Sequence, residues 1–251
     1  MAEYGSVRFV DKVGNNLLFR GGAPIENGVY DKDLPSKLKN AYMPLQLPPQ
    51  FYLVIICLLH PNKDDSPAIA AELKHFHDNP FAGEVHLWDT LGTDRCYFTT
   101  APGERDRLVK SLDQWLGDPL IWRVATLRQW LESSQTPYKP QAVIDLPCVF
   151  YVHCSGGCDR TGEMIGGYRL RYNGRSWADM WAEQPCRRPM GCGNYRALQW
   201  YAFWLNETFG LKLSGIGEEG GPANGCYDGN TSKVLKLCSP LPGDTASAVA
   251  R

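Results

Sequence analysis

The chain has 251 residues, enough for one large domain or two small ones, since domains usually hold about 100 to 200 residues. At 43% hydrophobic and 21% charged it can bury a core, and its longest apolar run, Phe51 to Leu59, is far short of the roughly 20 residues that span a bilayer. Lys plus Arg number 26 against 27 for Asp plus Glu, so no overall field recruits a polyanion and no stable nucleic-acid complex is expected.

The predicted elements alternate. Asn16 to Arg20 is a short apolar run closed by Gly-Gly-Ala-Pro and reads as a strand and turn. Phe51 to Leu59 is continuous, β-branched and bounded by prolines, as expected of a central strand buried on both faces. Pro67 to Asp78 reads as a helix stopped by Asn79-Pro80, Glu84 to Trp88 as a third strand, and Arg105 to Leu116 and Trp122 to Leu131 as helices. Cys148 to His153 is a fourth strand. Three helices then follow: Thr161 to Tyr172; Ser176 to Glu183 with Ser176 as N-cap; and Asn194 to Phe209, with Asn194 as N-cap and Gly210 after its end. Strands alternating with helices predict an α/β fold, a central and mostly parallel sheet flanked by helices, over residues 1–214. Residues 215–251, rich in Gly and Pro with one strand-like segment at Lys233 to Leu237, read as a C-terminal tail.

Nine cysteines, an odd number without a C-x-x-C pair, fit neither a complete disulfide framework nor a zinc site, so most are expected to be reduced. Cys226 and Cys238, flanking a Gly-rich stretch, are the two expected to pair. The start, MAEYGSVRFVDK, carries Glu3 and no apolar core, so no secretory signal is expected and the location is read as cytoplasmic.

The chemistry concentrates in VHCSGGCDRTGE, residues 152–163, where a buried strand gives way to a helix. Ser155 to Asp159 supply five backbone N–H groups, and Gly156 and Gly157 permit a curl that aims such groups inward as an anion nest. The helix N-terminus adds partial positive charge, and the Arg160 guanidinium can grip two oxygens of a phosphate at once. A free thiol of pKa about 8.5 can fall to about 3.5 to 7.5 in such a setting, which makes Cys154 a candidate nucleophile.

HCSGGCDRTG resembles the His-Cys-x5-Arg-Thr-Gly signature loop of the cysteine-dependent protein tyrosine phosphatase superfamily, matching it at His153, Cys154, Gly157, Arg160, Thr161 and Gly162. LFRGGAP, VIICL and NYRALQWYAFWL are similar to the opening strand, central strand and closing helix of its dual-specificity branch, so the resemblance spans about residues 16 to 210. It implies a two-step hydrolysis of phosphate monoesters through a phosphocysteine on Cys154. Ser155, Gly156, Gly157, Cys158, Asp159 and Arg160 would bind the substrate phosphate, Thr161 would hydrogen-bond the leaving thiolate, and no metal or cofactor is required. It also implies an acid, contributing about 10² to 10⁴-fold, for which Asp89 after the third strand is first choice. Asp94 is second, if Gly92-Thr93 swings it inward. Asp159 competes, because an acidic residue before the arginine is similar to the loops of phosphoinositide phosphatases of the myotubularin and Sac types. A carboxylate there would be protonated or turned outward, since otherwise it repels the substrate.

Phosphoprotein substrates of the tyrosine or dual-specificity type are the first reading, and phosphoinositides or inositol phosphates the alternative. RNA 5′-triphosphate hydrolysis and a phospho-binding pseudophosphatase are further readings. His153 is expected to be buried and to hold the loop, and Cys158 to be loop packing. Arg169, Arg171, Arg175, Arg187 and Arg188 are either an anion-recognition patch or a solvated surface. Trp177, Trp181, Trp200 and Trp204, spaced i, i+4, are expected in the core.

Overall fold

The structure, a computed structural model, describes residues 5–184, 186, 188–216, 226–228 and 233–235. The chain divides into two compact units, each discontinuous in sequence: Met1–Thr90 with Arg123–Thr161, and Leu91–Trp122 with Gly162–Arg251.

The strands of the first unit are β1 (Arg8–Val13), β2 (Asn16–Gly22), the short pair β3 (Ile25–Glu26) and β4 (Val29–Tyr30), β5 (Tyr52–Cys57), β6 (Gly83–Leu87) and β7 (Cys148–Cys154). Its helices are α1 (Leu34–Tyr42) and α2 (Ser66–Asp78). In chain order α3 (Pro102–Lys110) and α4 (Leu112–Trp115) belong to the second unit, and α5 (Leu120–Ser133) lies mostly in the first. A five-stranded sheet runs β1-β2-β7-β5-β6, parallel throughout except for antiparallel β1 at its edge. The fold is therefore α/β, with a mostly parallel sheet flanked by helices. Every residue of β2, β5 and β7 is buried, which explains why YLVIIC and CVFYVHC read as unbroken apolar runs. Each fully buried Val, Ile or Phe there contributes about 1.5–3 kcal/mol. The last of these five strands in sequence, β7, lies in the middle of the sheet, so Cys154 emerges at its centre, between Gly22 of β2 and the end of β5.

The second unit holds most of α6 (Asp159–Tyr172), with α7 (Trp177–Ala182), α8 (Cys192–Phe209) and the antiparallel pair β8 (Cys226–Asp228) and β9 (Lys233–Leu235). Helices α3 and α4 pack on α8, where Trp200 is fully buried against Trp115 and Phe203 stacks on Tyr97 at 3.6 Å. Trp177 and Trp181 meet edge to face at 5.6 Å, both buried, and Trp204 stacks on Tyr201. Ser176 caps α7 through a capping box with Asp179.

Several expectations are corrected. The helix expected over Arg105 to Leu116 is two helices, because the Ser111 hydroxyl bonds back to the Arg107 carbonyl and the backbone leaves helical geometry there. Asn194 is not an N-cap. Helix α8 begins earlier, behind Gly191, and the Asn194 side chain donates instead to buried Glu163 at 2.7 Å. The cysteines are not mostly reduced: Cys96, Cys158, Cys186, Cys192 and Cys226 are disulfide-bonded, and Cys57, Cys148 and Cys154 are free thiols. Cys226 is joined to Cys192, 34 residues away, and not to Cys238, which lies outside the described residues along with Arg187 and the end of the Lys233 to Leu237 segment. Pairings of this kind depend on the fold, which spacing does not encode.

Candidate active site

The parallel strands β2, β5, β6 and β7 all end at one edge of the sheet, the edge at which open α/β sheets bind ligands. Cys154, 3% exposed, closes β7, residues 155–158 turn, and α6 begins at Asp159, slightly earlier than expected. Gly157 has φ +70°, and a Cβ there would lie 2.5 Å from the Gly21 carbonyl oxygen, so only glycine fits. Two loop carbonyls are held on the β2 side. The Ser155 oxygen accepts from the Ala23 N–H at 3.1 Å, and the Gly157 oxygen accepts from Arg20 Nη2 at 2.9 Å. Across a planar trans peptide the next N–H points the opposite way, so the amides of Gly156 and Cys158 are directed away from β2. Tyr151 supports this from below by donating to the Gly22 carbonyl at 2.7 Å.

Arg160, in the first turn of α6, is half-buried and pairs through Nη1 with Asp65 Oδ2 at 2.6 Å. Burial opposes its charge, but Asp65, Cys154 and Asp159 together hold its guanidinium even more firmly protonated than usual. Asp65 Oδ2 also accepts from the His60 N–H at 3.1 Å, and His60 Nδ1 lies 2.7 Å from Asp89 Oδ2. A continuous line of contacts therefore runs from the loop arginine through Asp65 and His60 to Asp89. Asp89 is fixed further by Arg123, whose Nη2 donates to its carbonyl at 2.7 Å and whose Nη1 donates to Thr90 Oγ1. Its Oδ1 is buried without a hydrogen bond among the described residues.

Thr161 is fully buried and its hydroxyl likewise makes no hydrogen bond among the described residues, so the expected contact with the Cys154 sulfur is not formed. Asp159, half-buried, stands beside Arg160 on the helix's first turn. Asp94 lies in the second unit, exposed, its carbonyl accepting from Arg196. The swing imagined for it has no free hinge: the Leu91 and Gly92 N–H groups both donate to the Asp118 carboxylate, Thr93 donates to the Gly193 carbonyl, and a Cβ on Gly92 would lie 2.4 Å from Gly193. Cys158 is buried but is not mere packing, since it is one of the disulfide-bonded cysteines, and its partner is not Cys154.

His153, fully buried as expected, has Nε2 3.2 Å from Glu72 Oε2 and Nδ1 3.4 Å from the Cys154 carbonyl. Burial, the largest single influence, makes this imidazole harder to charge, yet Glu72 and Cys57 together outweigh it and its pKa stands well above the usual value. Cys57, also buried, has its thiol pushed up by the loss of solvent. Cys57, Glu72 and His153 bring donor atoms within 4.8 Å of one another. Three donors are one short of the four a structural zinc takes, and two are already engaged with each other, so we read them as an ion pair beside a thiol. A cavity of about 820 Å³, lined by Lys12, Leu17, Tyr42, Pro48 and Pro147 among others, belongs to the other end of the sheet, where β2 and β7 begin.

No family model matches the chain, and no curated protein matches it. Four residues of this edge escaped sequence reasoning: Arg20, His60, Asp65 and Glu72. Asp65 had a local signal, since Asn62 Oδ1 accepts from the N–H groups of Asp64 and Asp65 in a turn that presents the second carboxylate. Arg20 reaches its partner from a strand and Glu72 from a helix, while His60 reaches Asp89 from the loop after β5, and no local pattern marks any of the three.

Proposed function

We propose that the protein is a cysteine-dependent phosphatase that hydrolyses phosphate monoesters. The observation that carries this reading is a free thiol at the end of the central strand, followed by a glycine-turned loop with carbonyls pinned outward and an arginine on the first turn of the next helix. The Cys154 thiolate attacks phosphorus, an S–P bond forms, the ester P–O bond breaks, and the leaving oxygen takes a proton from Asp89. Water, deprotonated by Asp89, then cleaves the S–P bond and releases inorganic phosphate. Arg160 and the inward amides hold the non-bridging oxygens, the charge stabilisation that matters most in such transfers. His60 Nδ1, 2.7 Å from Asp89 Oδ2, is close enough to exchange a proton with it.

Phosphoprotein substrates of the tyrosine or dual-specificity type remain the first reading. Asp159 beside Arg160 keeps inositol phosphates and phosphoinositides as the second. Against the lipid reading, the arginines that follow the loop have partners in the chain: Arg169 and Arg175 both pair with Glu183, and Arg171 lies over Phe209 at 4.7 Å and Tyr172 at 5.0 Å. Among the described residues no helix is long and apolar enough to cross a membrane. Among the described residues five cysteines are disulfide-bonded, which favours an oxidising compartment over the cytoplasm.

The test is phosphate release from a phosphotyrosine peptide, a phosphoinositide set and a 5′-triphosphorylated RNA, by wild type and Cys154→Ser. Turnover of the peptide, lost in the variant, supports the first reading. Turnover only of the lipids or the RNA replaces the substrate class, and oxyanion binding without any turnover makes the protein a phospho-binding module.

A further inference from the structure

Beneath the loop a charged pair is sealed from water. His153 on β7 and Glu72 on α2 are both 0% exposed. Nδ1 of His153 faces the Cys154 carbonyl and Nε2 faces the Glu72 carboxylate, two groups that accept hydrogen bonds when the carboxyl is ionised. A neutral imidazole carries one N–H and would turn a bare lone pair on one of them, whereas the doubly protonated ring donates to both.

We propose that Glu72 is a positioning residue that keeps His153 doubly protonated, so that its Nδ1–H holds the Cys154 carbonyl down and aims the Ser155 N–H into the phosphate site. The inference rests on the phosphatase reading for the purpose of that site, and on geometry alone for the device. The Cys154 carbonyl and the Ser155 N–H belong to one planar peptide and point in opposite directions, so anchoring one orients the other. Three peptides of the loop are thus set in the same manner, by His153 at Cys154, by Ala23 at Ser155 and by Arg20 at Gly157. Of these anchors only His153 can lose its hydrogen within the range in which enzymes work.

The groups that face the ring are few. Glu72 approaches from α2, Cys57 from the neighbouring β5, and Tyr151 stacks on it at 5.7 Å from its own strand. Tyr30 of β4 lies on the far side of Glu72, whose charge helps to keep the Tyr30 phenol protonated, second to burial. Glu72 is the one carboxylate of this group. The second oxygen of Glu72 is buried without a hydrogen bond among the described residues, so the charge is directed at His153 with little to share it.

The experiment is nitrogen NMR of the His153 ring and of the Ser155 amide, with a kcat/KM pH profile, on wild type, Glu72→Gln and Glu72→Asp. Wild-type His153 is expected to keep both ring protons from about pH 6.5 to 8, where a free imidazole has lost one. In Glu72→Gln the ring becomes neutral in that range, the Ser155 amide resonance moves, and kcat/KM on the alkaline side falls by about 10- to 100-fold, somewhat less than outright removal of a donor to a developing oxyanion. Glu72→Asp restores the ring protons and most of the profile. A wild-type ring that is neutral at pH 7, a Ser155 resonance unmoved in Glu72→Gln, or stoichiometric zinc in the purified protein overturns the proposal. If Glu72→Gln does not fold, the wild-type ring and Glu72→Asp decide it. The NMR readouts need no substrate, so a protein that hydrolyses nothing but keeps the coupling defeats the phosphatase reading and leaves the positioning role standing.

Discussion

The same parallel strands carry buried polar side chains at both ends, and the two ends treat them oppositely. Where β2 and β7 begin, Asn16 donates to the Leu131 carbonyl and Ser134 hydroxyl at 2.7 Å each and accepts from the Cys148 N–H at 2.7 Å. Lys139 nearby donates to the carbonyls of Ser134 and Leu146. The partners are mostly backbone, and the chain closes upon itself. Where the strands finish, the polar groups include the free thiols of Cys57 and Cys154, the arginines Arg20, Arg123 and Arg160, two histidines and several carboxylates, and Thr161 Oγ1, Asp89 Oδ1 and Glu72 Oε1 are buried without hydrogen bonds among the described residues. A buried polar atom left open costs about 1–3 kcal/mol. At the first end Asn16 and Lys139 are satisfied by the chain, although Thr136 Oγ1 there is also without a hydrogen bond among the described residues; under the phosphatase proposal the open groups at the other end face a ligand.

Substitutions at the two ends should separate activity from stability. The largest effect is expected for Cys154→Ser, with phosphate release down about 10⁴-fold or more and inorganic phosphate binding, read by calorimetry, kept. Asp89→Asn should cost about 10² to 10⁴-fold in kcat while Asp159→Asn costs less than about tenfold, and the reverse order on the same substrate moves the acid to Asp159. Cys192→Ser, which opens a bridge across 34 residues in the other unit, should lower unfolding free energy by about 3–4 kcal/mol in urea. Asn16→Ala should cost about 1–3 kcal/mol for the Cys148 amide and Ser134 hydroxyl it leaves unpaired, with kcat per folded molecule unchanged. A fall in kcat for Asn16→Ala would erase the division between the ends.

Protons offer a further way to sharpen it. His153 has a raised pKa in the folded protein, so its contribution to stability is fully present below about pH 6.5 and is lost as pH climbs through the raised value. Urea midpoints measured from neutral to alkaline pH should decline in wild type and decline less in Glu72→Gln, where there is less to lose.

What could be read in advance follows from what is local. The strands at Asn16, Tyr52 and Cys148 were legible because both their faces are buried and their apolar runs are bounded by turn residues, and edge strand β6 because Val85, His86 and Leu87 lie between turn signals. Strand β1 was not, since RFVDKV is a half-exposed edge with charges interleaved, and α1, LPSKLKNAY, is short and polar. The loop residues Cys154 to Thr161 were visible because one turn holds them all. The partners that give them their geometry, Arg20 of β2, His60 and Asp65 of the loop before α2, and Glu72 of α2, come from three other segments, and the bridge between Cys192 and Cys226 likewise depends on a fold brought together from afar.

The cystines bear on how the protein must be handled. The proposed nucleophile, the Cys154 thiol, calls for a reductant in the assay buffer, and the same reagent attacks the cross-links of the loop cysteine Cys158 and of Cys192 with Cys226. Activity plotted against dithiothreitol concentration should therefore rise and then fall, and the width of that window measures how far the cystines resist the agent that protects Cys154.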